Sequence, residues 1–79
     1  MKYQKIDVWD NNKYIGTITY NSYNKKFTFN ISGVIESINF KNSKHLEKML
    51  DRHIAMDVHI PLEVQEKIDM IAIINEMSN

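Results

Sequence analysis

Side chains capable of chemistry are few here, and their spacing decides what they can do. His53, Asp57 and His59, with Asp51 nearby, carry atom types that a metal accepts. They follow neither H-E-x-x-H nor any fixed tetrahedral pattern, and zinc needs a third or fourth convergent ligand. His53 continues an apolar helical stripe and reads as an interior or boundary histidine. His45 falls on a more exposed helical position, and His59 alternates outward. Ser37 and Ser43 lie in no G-x-S-x-G context, so no activated nucleophile is legible. The two glycines, Gly16 and Gly33, belong to no phosphate-cradling loop, which removes a nucleotide cofactor from the expectations. The expectation is a non-enzymatic chain with no catalytic residue, no metal and no cofactor.

Two other constellations carry binding chemistry. Lys2, Lys5, Lys13, Lys25 and Lys26 accompany Tyr3, Trp9, Tyr14, Tyr20 and Tyr23 in the first half. Cations beside aromatic rings hold phosphates while bases stack, so single-stranded nucleic-acid binding is the alternative reading. It ranks second, because net charge is zero, arginine is nearly absent and no ribonucleoprotein or helix-turn-helix signature is present. Lysine on edge strands also suppresses unwanted pairing, and aromatic residues in strands commonly pack.

The stronger signal is PLEVQEKIDMIAIINEMSN. At 100° per residue Val64, Ile68, Ile71 and Ala72 form one apolar face, with Ile74 at its edge, and Leu62, Met70, Ile73 and Met77 form a second. A helix resting on one sheet needs only the first. The second wants another contact, which is the shorter helix, a second copy of the chain or a different protein, and intermolecular use is the expectation taken forward. Met70, Ile73 and Met77 are the expected anchors, joined by Trp9 or Tyr14 as an aromatic contact, with Lys13, Asp69 and Glu76 on a polar rim. Methionine adapts to irregular partners.

Length and charge set the frame for such a site. A chain of 79 residues makes one domain with a modest core. Residues 1–48 carry eight lysines against four carboxylates, a net +4, while 49–79 carry two basic groups against six carboxylates, a net −4. That asymmetry orients encounters. Cysteine is absent and no apolar run approaches the length of a membrane span. The opening residues read as a strand rather than a signal peptide, so a cytoplasmic location without membrane contact is expected. An Ile-, Lys- and Asn-rich composition suits an A+T-rich coding sequence, such as some bacteria, phages or mobile elements possess.

The elements that must position these residues follow from periodicity. Ile6 and Val8, then Gly16, Ile18 and Tyr20, then Phe27, Phe29 and Ile31 alternate with polar residues, predicting three antiparallel strands. Asp10-Asn11-Asn12-Lys13 supplies a turn because asparagine tolerates positive φ, and Gly16 marks a bulge or a close approach. Val34 to Phe40 suits a fourth strand with Glu36, Ile38 and Phe40 on one side or, because that face would have to accommodate Glu36, an irregular connection, and the strand is the expectation taken forward. Asn42 or Ser43 caps a helix over 44–53 whose apolar stripe is Leu46, Met49, Leu50 and His53. Residues 55–60 suit a short strand or a connection, and Pro61 opens a helix reaching Met77. The fold class is α+β, an antiparallel meander of three or four strands packed on one face by two C-terminal helices. A single domain spans 1–79, with 1–40 forming the sheet and 43–77 mainly helical.

Overall fold

A computed structural model describes residues 3–53 and 58–77. Four strands, β1 (Tyr3–Asp10), β2 (Lys13–Asn21), β3 (Lys26–Ile31) and β4 (Ile38–Phe40), form an antiparallel sheet in the order β1-β2-β3-β4. Two helices follow, α1 (Ser43–His53) and α2 (Leu62–Met77). This is the predicted meander with two C-terminal helices on one face. Among the described residues, no helix is long and apolar enough to cross a membrane.

Local chemistry explains each connection. Asn11 and Asn12 take φ of 50° and 69°, and Asp10 pairs with Lys13 around them. Two consecutive positive φ values make a type I′ turn, whose twist matches that of the flanking strands. In the β2–β3 loop Asn21 Oδ1 accepts from the Tyr23 amide at 2.9 Å, and Asn24 Oδ1 accepts from the Lys26 amide at 3.1 Å. After β3 the Val34 amide donates to the Ile31 carbonyl at 3.0 Å across Gly33, whose φ is 83°. Glycine meets that conformation without a Cβ penalty.

The fourth strand is shorter than predicted. Only Ile38–Phe40 pairs with β3, while Glu36 lies in the preceding bend and is exposed. Burying an unpaired carboxylate is costly, and the turn at Gly33 spares Glu36 that position. Val58–Ile60 forms no strand; the rest of that predicted segment and Asp57 lie outside the described residues, as do the surroundings of the His53 side chain.

The inner face of the sheet presents Ile6, Val8, Ile18, Tyr20, Phe27, Phe29, Ile31, Ile38 and Phe40, all buried. Leu46 and Leu50 of α1, with Ile60, Val64 and Ile68, close the core, and Ile71 packs half-buried against it. Gly16 meets both sequence readings. A Cβ there would stand 2.2 Å from the Asn30 carbonyl oxygen. Beside it, the β1–β2 register shifts between Val8 and Trp9, so Val8 opposes Gly16 while Trp9 opposes Tyr14.

A side chain caps the start of α1. Asn42 Oδ1 accepts from the His45 amide at 2.9 Å, and the Asn42 carbonyl accepts from the Leu46 amide at 3.0 Å, which makes Asn42 the N-cap. His45 reaches back, its Nδ1 accepting from the Lys41 amide at 3.0 Å, and so is half-buried rather than exposed. The Pro61 carbonyl accepts from the Val64 and Gln65 amides, placing Pro61 just ahead of α2.

Candidate functional site

Val64 and Ile68 bury one face of α2 in the core, and the helical repeat then turns Met70, Ile73, Ile74 and Met77 outward. These four are 61%, 56%, 58% and 80% exposed. Met70, Ile73 and Met77 recur at intervals of three and four residues, so they lie one above the other along the helix. Glu66, Asp69, Met70, Ile73 and Ile74 line a shallow depression of about 380 Å³ on this side. Leu62, 67% exposed, extends the apolar surface toward the start of the helix. Ile74, read from the sequence as an edge residue, belongs to this outer face.

Asp69 has a bond that the sequence reading did not anticipate. Its Oδ1 accepts from the Ser43 amide at 3.0 Å, and its Oδ2 accepts from the Ser43 hydroxyl at 2.7 Å. The first turn of α1 contains no acidic residue of its own. Asp69 therefore supplies a negative charge to the positive end of that helix from 26 residues away. It is half-buried and holds the two helices together, whereas Glu76 remains exposed on the same flank.

The aromatic part of the expected site lies elsewhere. Because Trp9 opposes Tyr14 across the bulge, both rings emerge on the open face of the sheet, opposite the helices. They meet edge to face at 5.2 Å, and Tyr14 is anchored by its hydroxyl to Thr17 Oγ1. Lys13 follows the β1–β2 turn at this same end and is exposed. The C-terminal end of α2, with Glu76, adjoins the β2–β3 loop. At 3.3 Å per residue the length of β2 separates the two ends by about 26 Å. The structure thus groups Met70, Ile73 and Met77 with Asp69 and Glu76, and sets Trp9, Tyr14 and Lys13 apart as a second patch.

The same separation divides the residues proposed to hold nucleic acid. Tyr20 is buried in the core, Trp9 and Tyr14 sit at one end, and Tyr23, Lys25 and Lys26 sit at the other. A continuous row of stacking rings is not formed by them. Among the described residues no group of three or more His, Cys, Asp or Glu side chains is placed to hold a metal ion. Comparison with protein-family models, curated proteins and solved structures returned no match.

Proposed function

We propose that this domain is a small protein-binding accessory of regulatory or inhibitory type, acting in the cytoplasm without catalytic activity of its own. The observation that carries the reading is the row of Met70, Ile73, Ile74 and Met77, left in solvent on a helix whose other face is already committed to the core. Large apolar side chains clustered on one surface are a mark of an interaction site.

Charge narrows the kind of partner. The row is bordered by Glu66, Asp69 and Glu76, and α2 carries only Lys67 as a basic residue. Two copies laid row against row bring like charges together. A different protein, presenting apolar side chains with lysine or arginine beside them, complements the border. Such a pairing of an apolar row with a flanked groove or helix is a common recognition mode.

The test is capture from native cell extract with the purified domain, alongside mass measurement across protein concentrations. The wild type is expected to remain monomeric alone and to retain one defined protein. The Ile73→Glu, Met77→Glu double variant should melt normally and lose that protein. Retention of the same partner by a normally folded double variant would overturn the assignment of this face.

A further inference from the structure

At the corner where the β2–β3 loop meets the C-terminal half of α2, the surface folds into a cleft of about 250 Å³. Lys25 reaches it from the loop, Lys26 from the start of β3 and Lys41 from the junction between β4 and α1. Tyr20 and Asn24 also line it, and Glu76 is its only acidic side chain. Three ammonium groups against one carboxylate leave a local net +2 on a chain whose total charge is zero.

The loop's conformation gives an independent indication. Lys25 holds φ at 55°, in the left-handed region that glycine and asparagine occupy most readily. A lysine is the wrong residue for the turn on conformational grounds, so its side chain is the better explanation for its presence. Strained positions of this kind concentrate where a side chain serves binding. Asn24 fixes the adjoining backbone through its bond from the Lys26 amide, which holds the two lysines in register before any ligand arrives. Burial, then the charge of Glu76, raises the Tyr20 phenol above its ordinary value. Its hydroxyl, protonated at neutral pH as any ordinary phenol is, lines the cleft and is able to donate.

We propose that this cleft binds the phosphate group of a small phosphate monoester, with Lys25, Lys26 and Lys41 neutralising its charge and Tyr20 donating to one oxygen. The geometry favours a discrete anion over a nucleic-acid strand. Beyond the cleft, α2 continues with Asp69 and Glu66, which repel a lengthening polyanion, and Lys13 lies at the far end of β2. Glu76 opposes the anion and so limits affinity. The proposal stands apart from the apolar row and does not require it.

Amide NMR titrations at constant ionic strength test it, using inorganic phosphate, phenyl phosphate and a short oligothymidylate as probes. Saturable shifts confined to residues 23–27, 41 and 72–76 are expected with both phosphates, and tighter binding of phenyl phosphate than of inorganic phosphate identifies the ester as the preferred source. Lys25→Gly should melt at the same temperature or higher while binding about threefold to tenfold more weakly, the loss of one solvent-facing charged contact. Glu76→Gln should bind more tightly. Shifts spread evenly over the surface, or unchanged affinity in Lys25→Gly, would overturn the site. Saturation of these same amides by oligothymidylate at lower concentration would replace the monoester with a nucleic-acid ligand and overturn the proposal as stated.

Discussion

The two helices make instructive opposites. On α1, Leu46 and Leu50 face the core, with Met49 half-buried, while Lys44, Glu47, Lys48, Asp51 and Arg52 face solvent. One apolar stripe is matched to one surface. On α2, Val64 and Ile68 occupy the same kind of position, yet Met70, Ile73, Ile74 and Met77 stay outside. A four-stranded sheet ending in a three-residue strand offers only one inner face, and α1 shares it. Among the described residues nothing covers the surplus on α2. Folding accounts for the sequence of α1, whereas on α2 the proposed partner would account for the outer row.

The sharpest way to break that contrast is to place the same charge on each face of α2. Ile68→Asp puts a carboxylate at a fully buried position without a partner and should remove roughly 4 kcal/mol or more, comparable with the total stability of a domain this size. Ile73→Asp should change stability by less than about 0.5 kcal/mol, as exposed substitutions do. Circular dichroism melting of both variants checks the pair. Equal loss in the two would show that the outer face is structural after all.

A second test sharpens how the helices depend on each other. Asp69→Ala removes two charge-assisted bonds and leaves the buried Ser43 hydroxyl without this acceptor, so a loss of about 1–3 kcal/mol is expected. Ser43→Ala should cost less. In the double variant the losses should be clearly non-additive, as denaturant titration of the four proteins would reveal. Strict additivity would mean that the contact contributes nothing to stability.

Capping on α1 predicts a smaller effect. Asn42→Ala should cost about 1 kcal/mol through loss of the bond from the His45 amide, read as a lower denaturation midpoint. Removal of the cap should leave capture of a partner on α2 unaffected.

The smallest effect is on pH dependence at Tyr20, where β2 meets α2. Its phenol pKa is raised by burial and by Glu76, so in the folded state it keeps its proton to higher pH than in the unfolded chain, where it ionises near 10. That contribution is complete below the unfolded value and is lost as pH rises through the folded one. Alkaline melting curves should therefore fall less steeply in Tyr20→Phe than in the wild type. Identical slopes above about pH 10 would remove this role.

Legibility differed by the kind of evidence each residue carried. Alternation placed Ile6, Val8, Ile18, Phe27, Phe29 and Ile31 correctly, because in a strand neighbours in sequence dictate which face a residue takes. The two apolar faces of α2 were legible for the same reason, since 100° per residue is a local rule. Glu36 was misplaced because alternation continues on paper past the point where Gly33 has turned the chain. Tyr14 sits on the open face only because the bulge resets the alternation, and Gly16 alone does not reveal on which side the extra residue falls.

What the sequence determined by itself is therefore the set of elements and their apolar faces, including the unmatched face of α2. What only the tertiary structure decided is which distant residues meet. Ser43 and Asp69 close a bond across 26 residues, Lys25, Lys26 and Lys41 converge on one cleft, and Trp9 with Tyr14 ends on the side of the sheet away from Met70 and Ile73. Periodicity is fixed by backbone geometry within a few residues. Convergence depends on how the sheet pairs and where the helices come to rest, and no local spacing encodes that.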